Sequence, residues 1–155
     1  MSAQAKHLAK VWSHPDVKPW VALGSPELLT EENAQKILDA GAMYLHNDYG
    51  GFLLVPNDDA TVFEVHTQFV PEGRGALVYG FADECIRLMF EKTPCEMLRT
   101  FIPDGNHAAY SFARRCGFVV FDSCVQMGRS GRILVLTVKK WVLDHAGSGD
   151  RPSSH

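Results

Sequence analysis

Glu64-Val65-His66-Thr67-Gln68-Phe69-Val70-Pro71-Glu72-Gly73-Arg74-Gly75 is the stretch on which the fold turns. Up to Val70 it alternates, with Glu64, His66 and Gln68 on one side and Val65, Thr67 and Phe69 on the other. That is the two-residue period of a strand with unlike faces. Pro71 to Gly75 closes the strand and opens a long helix reaching about Glu91. A strand that ends in a Gly- and Arg-bearing turn before a helix is an anion-binding device, because free N–H groups and the helix dipole converge there. A tight strand-to-helix turn accounts for the glycines equally well.

Downstream, the helix carries Leu77, Val78, Phe81, Ala82, Cys85, Leu88 and Met89 on its apolar side, and Asp83 stands at i,i+4 to Arg87. Thr93-Pro94 ends it. Glu96 to Ile102 reads as the next strand and Pro103-Asp104-Gly105 as a turn. A second helix runs from its cap, Asn106, to Cys116, with Gly117 at the stop position. Phe118 to Val125 and Arg132 to Leu143 read as two last strands, joined by Met127-Gly128-Arg129-Ser130-Gly131.

Upstream, Thr61 begins the long strand, and Met43 to His46 and Gly51 to Val55 are two shorter ones around Asn47-Asp48-Tyr49-Gly50. Consecutive strands of this kind pair as an antiparallel meander. Two helices precede them. Ala5, Leu8, Ala9 and Trp12 mark the first, which ends at His14-Pro15; the second starts near Ser25-Pro26 or Thr30 and stops at Gly41. Residues 1–145 therefore read as a single α+β domain: a mixed, mostly antiparallel sheet of six to seven strands with about four helices. The Gly-, Ser- and Pro-rich tail, 146–155, reads as disordered.

Bulk properties narrow the function. A 155-residue chain that is 46% hydrophobic has enough apolar matter for one core. A formal charge of −3 with scattered Arg and Lys argues against a nucleic-acid partner. No apolar run suggests a signal peptide or a membrane span, so a cytoplasmic protein is expected. Cys85, Cys95, Cys116 and Cys124 lack Cys-x-x-Cys spacing and read as reduced, mostly packed thiols; with no zinc-like His or Cys cluster, no metal is expected. Trp12, Trp20 and Trp141 read as core or edge packing.

Asn106, Ala109 and Gly117-Phe118 have the spacing Asn-x-x-Ala-x(7)-Gly-Phe. With Val70 to Gly75 they resemble the GNAT acetyltransferases, and Glu64 to Gly75 also resembles GNAT-like proteins of bacteriophage and prophage genomes. The resemblance implies a sheet splayed between the two central parallel strands, with acetyl-CoA in the opening. The pantetheine arm would pair with backbone near Phe69 and Val70. The pyrophosphate would sit over Arg74, Gly75, Ala76, Leu77 and Tyr79, and Asn106 would reach it from the other wall. A primary amine would attack the thioester directly, without metal, and a homodimer stays open.

Two positions depart from the family pattern. Its phosphate loop has small residues where this chain has Leu77 and Tyr79, and its acid tyrosine is replaced by Ala113, with Tyr110 one turn earlier. The departures keep a rival reading open, a GNAT-like scaffold that serves as an interaction or regulatory module. A third reading keeps the thioester but uses a longer acyl donor or a non-amine acceptor. Glu64 and His66 are the candidate bases and Tyr110 the candidate acid, each against a plain structural role; His66 is the better base near neutral pH.

Overall fold

The computed structural model describes residues 1–21 and 26–149. α1 (Ala3–Trp12) is capped by Ser2, whose hydroxyl accepts the Ala5 N–H at 3.1 Å. α2 (Glu31–Asp39) is capped by Thr30, which accepts from Asn33 at 3.1 Å. Each cap satisfies an N–H that the helix itself leaves unpaired. Of the two starts expected for α2, Thr30 is therefore the one used; Ser25 lies outside the described residues, and Pro26–Leu28 forms a 3₁₀ turn.

β1 (Met43–Asn47), β2 (Gly50–Pro56) and β3 (Val62–Phe69) form the expected antiparallel meander. The Asn47 side chain accepts the Tyr49 N–H at 2.8 Å and sets the first turn. Then follow α3 (Ala76–Lys92), β4 (Met97–Pro103), α4 (His107–Arg115), β5 (Val119–Gln126), β6 (Arg129–Thr137) and α5 (Val138–Gly149). The sheet order is β1-β2-β3-β4-β6-β5, antiparallel throughout except at β3–β4.

Helices cover both faces of this sheet. α1 and α2 bury Leu8, Trp12 and Ala34 against Tyr44 and Leu53 on one face. On the other, α3, α4 and α5 bury Val78, Met89, Ala113 and Trp141 against Phe52 and Leu98. Among the described residues no helix is long and apolar enough to cross a membrane.

Several expectations are corrected. Val138 to Leu143 is the start of α5 and not the end of a strand. The Thr137 hydroxyl caps it by accepting the Lys140 N–H at 3.1 Å, and Trp141 packs 5.5 Å from the Phe90 ring under the Arg87 guanidinium. Capping and burial of one tryptophan outweigh the strand-like alternation. The helix continues through Ala146 to Gly149, where a disordered tail was expected; residues 150–155 lie outside the described residues. The β5–β6 connection is also shorter than expected. Met127 and Gly128 both take positive φ (51° and 75°), the two-residue turn that matches hairpin twist, so β6 begins at Arg129. On α3 the buried stripe runs through Val78, Ala82, Cys85, Ile86, Met89 and Phe90. Leu77 and Leu88 are exposed, and Arg87 pairs with Glu91 at 3.3 Å in place of Asp83. The turn before the helix, which sequence period does not describe, decides which face meets the sheet.

β3 and β4 are in register at Val62↔Met97, Phe63↔Leu98 and Glu64↔Arg99 and then part. At the parting point the Thr100 hydroxyl donates to the Val65 carbonyl at 3.0 Å, a side chain doing what the ladder no longer does. Thr100→Val keeps the shape and strands that carbonyl. Urea unfolding is expected to register a loss of about 1–3 kcal/mol, against about 2–5 kcal/mol for Leu134→Ala in β6. An unchanged midpoint for Thr100→Val would show that the strut carries no load.

Candidate active site

Past Glu64 the inner edge of β3 has no strand beside it, and the backbone there can be assigned group by group. The Val70 N–H donates to the Tyr49 carbonyl at 2.9 Å, so even-numbered residues of β3 address β2. Odd-numbered residues address the opening. The Val65 carbonyl takes Thr100, and the Phe69 carbonyl takes the Arg74 Nε at 3.0 Å. What remains facing the opening is the Thr67 backbone, both N–H and C=O, and the Phe69 N–H. Of the two positions expected to face the opening, Phe69 presents its N–H there and Val70 does not, because the Val70 N–H already points to the β1–β2 turn.

A cavity of about 590 Å³ runs through this opening from one face of the sheet to the other. On the α3/α4 side its wall is apolar, with Val78, Ala82 and Phe112. On the α1 side Asp16, His66 and Gln68 stand among Val17, Trp20 and Val21. Trp20, expected in packing, is 47% exposed at this mouth.

The start of α3 stands at the cavity wall. Gly75 is its cap residue, with φ of 101°, a left-handed value that a side chain disfavours. No side chain caps the helix, and no acidic residue sits in its first turn, so its positive end is left for an anion. Leu77 does not plug this end, being 76% exposed and off the cavity wall. Tyr79 leans away onto α4, its ring 5.1 Å from Phe112 and under the Arg115 guanidinium at 4.2 Å. Arg74 lines the cavity but is tied by its Nε to Phe69 and by an Nη to the Asp16 carbonyl at 3.4 Å. Asn106 also lines it, and its side-chain oxygen caps α4 by accepting the Ala109 N–H at 3.2 Å.

Of the residues expected to carry chemistry, the structure brings His66, Phe69, Arg74, Gly75, Tyr79 and Asn106 to the lining of this one cavity. Val70, Ala76 and Leu77 are not part of that lining. Neither is Glu64, which is paired with Arg99 (Oε2 to Nε, 3.2 Å) where the strands are still joined; burial raises its carboxyl above the ordinary value and Arg99 partly offsets this. Tyr110 is corrected too. Its ring lies 3.9 Å beneath the Arg132 guanidinium, away from the cavity, because α4 turns positions 109, 112 and 113 inward and position 110 toward β6. Burial lowers the pKa of His66 below its usual 6.5, so the ring is neutral at pH 7.

Sequence reasoning gave no role to Gln68, which is 5% exposed with its Oε1 buried and unpartnered. A glutamine in the alternating row beside His66 was the available signal. For Thr100 and Trp20 there was none, since both acquire their place through chain segments distant in sequence. The four cysteines are free thiols, and burial pushes Cys85 and Cys116 up to about 12. Among the described residues no group of His, Cys, Asp and Glu is arranged to hold a metal ion.

No protein-family model matches the chain, and no curated protein matches it in sequence. Solved structures match it in shape. A variant of the spermidine N-acetyltransferase SpeG from Vibrio cholerae has a TM-score of 0.69 at 14% identity, covering 92% of this chain and 92% of that one. A GNAT-family acetyltransferase from Bacillus anthracis gives 0.68 at 12% identity, over 86% and 89%. The aminoglycoside acetyltransferase AAC(6')-Ib, solved with coenzyme A and kanamycin, gives 0.72 at 12% identity, over 94% and 97%. At such identities the likeness is one of architecture: this chain is built on the GNAT acetyltransferase fold.

Proposed function

We propose that the protein transfers an acetyl group from acetyl-CoA to a primary amine by direct attack. The observation that carries this reading is the cavity at the β3–β4 opening, which has Val78, Ala82 and Phe112 on one face of the sheet and His66 and Gln68 on the other. Such a passage lets a thioester and an amine meet from opposite sides without either leaving its own wall. The neighbours in shape are N-acetyltransferases by name, one of them solved with coenzyme A, which supports the same reading.

In this reading the Phe69 N–H pairs with the pantetheine arm as an added strand would. The deeper Thr67 N–H faces the thioester oxygen and stabilises the oxyanion that forms there. The diphosphate sits at the uncapped start of α3 with Arg74, and Asn106 flanks it from α4. On the other face, the unpartnered Gln68 Oε1 accepts an N–H of the amine. His66, already neutral, takes the amine's proton directly or through water. The nitrogen then bonds the carbonyl carbon and the carbon–sulfur bond breaks. A thiol of ordinary pKa, about 8.5, leaves as the thiolate, so the step does not require Tyr110 as an acid. Glu64 acts through its pairing with Arg99, holding the strands at the root of the opening.

Saturating acetyl-CoA, at about a hundredfold over Kd, should stabilise the fold by about 2.7 kcal/mol and raise Tm by about 5–10 °C. No shift at millimolar acetyl-CoA would favour the scaffold reading. His66→Ala should cut turnover by about 100-fold or more with acetyl-CoA affinity kept, and Glu64→Gln far less. Wild-type rates in His66→Ala would remove it as the base. Because the His66 pKa is lowered, kcat/KM should climb with pH along an acid limb below 6.5 and be level with respect to this group above it. The same shift makes the fold lose stability as pH falls below 6.5, since the unfolded chain binds the proton first. An acid limb that persists in His66→Gln would assign it to another group.

A further inference from the structure

Trp20 belongs to two concave surfaces at once. It lines the mouth of the cavity with Asp16, and also a shallow depression with Pro19, Pro103, Asp104 and Arg129. Pro103 is shared in the same way, so the cavity runs out into the depression across these two residues. This shelf is open to solvent: Trp20 is 47% exposed, and Asp16, Pro19, Asp104 and Arg129 are exposed as well. It is held in place without burying the indole. Lys18–Trp20 is a 3₁₀ turn with no buried residue of its own. The buried Val17 roots it, and two guanidiniums from distant parts of the chain take its carbonyls. Arg129 donates to Pro19 at 3.0 Å and Arg74 to Asp16 at 3.4 Å. A tryptophan fixed through its backbone and left open at the mouth of a site offers a large, stiff, flat surface to a ligand.

Charge narrows what can lie there. Among the described residues, the carboxylates lining the cavity and the depression, Asp16 and Asp104, are matched by Arg74 and Arg129. Such a balanced surface does not collect several ammonium groups, so a polycation gains nothing from it. We infer that the acceptor is a primary amine carrying an aromatic ring on a short aliphatic linker, with its ring on Trp20 and its nitrogen at Gln68 and His66. The inference rests on the acetyl-transfer reading above and names the acceptor class of that site. Aromatic rings meet tryptophan in offset or edge contact, and Pro19 and Pro103 border the ring without presenting N–H groups. The reaction is unchanged: a carbon–nitrogen bond replaces the carbon–sulfur bond, CoA leaves as the thiolate, and the amine's proton goes to His66.

The test presents the whole chain with acetyl-CoA and four amines, 2-phenylethylamine, tryptamine, n-butylamine and spermidine, and follows release of the CoA thiol. Calorimetric titration of each amine into the CoA-saturated protein reads binding apart from turnover. The two aryl amines should bind, and should exceed n-butylamine in kcat/KM by about tenfold, with spermidine below both. Trp20→Ala should raise their KM by about tenfold at nearly unchanged kcat, with folding checked by circular dichroism, and Trp20→Phe should restore most of the loss. Equal rates for n-butylamine, a preference for spermidine, or no binding of the aryl amines while acetyl-CoA still binds would overturn the inference and leave the acetyl-CoA reading standing. Failure of acetyl-CoA itself to bind would remove both. An aryl preference that survives in Trp20→Ala would place the ring elsewhere and overturn the assignment.

Discussion

One interrupted ladder governs this molecule. β3 and β4 lie side by side at the centre of the sheet, yet they share hydrogen bonds only from Val62 to Glu64. Peptide groups in a protein interior need partners, and an unpaired central edge would ordinarily close. Here two substitutes hold it open. The Thr100 hydroxyl takes the Val65 carbonyl, and the Arg74 guanidinium takes the Phe69 carbonyl. The Thr67 backbone and the Phe69 N–H are left facing the opening.

The opening matters because of what covers the sheet. Helices α3, α4 and α5 bring an apolar wall to one face, and the segment after α1 brings Asp16 and Trp20 to the other, next to His66 and Gln68. A complete sheet would separate these environments by a layer of peptide. The parted strands join them in one space. The lowered pKa of His66 belongs to the same arrangement: burial beside the passage keeps its ring uncharged, which is the form that accepts a proton.

Legibility differed between elements for physical reasons. The strand-turn-helix at Val62 to Lys92 and the helix capped by Asn106 were readable because period, turn residues and cap all lie within a few positions of one another. Val138 to Leu143 was not. Its alternation suits a strand, and it became helix because Trp141 finds a place against Phe90 and Arg87, residues of a different helix. Tyr110 and Leu77 were misplaced for a related reason. Both lie on helices whose existence was plain, but the rotation of a helix about its axis is settled by the partner it packs on.

The sequence by itself determined the kinds and order of the elements as far as β6, the glycine turn before α3, and the polar row containing His66, since each depends on local steric and hydrogen-bonding preferences. Only the tertiary structure decided which members of that row matter. It put His66 and Gln68 on the passage and tied Glu64 to Arg99, although the three alternate identically along the chain. It also decided that the strands part after Glu64. These outcomes come from contacts between residues tens of positions apart, and a local pattern holds no record of such distances.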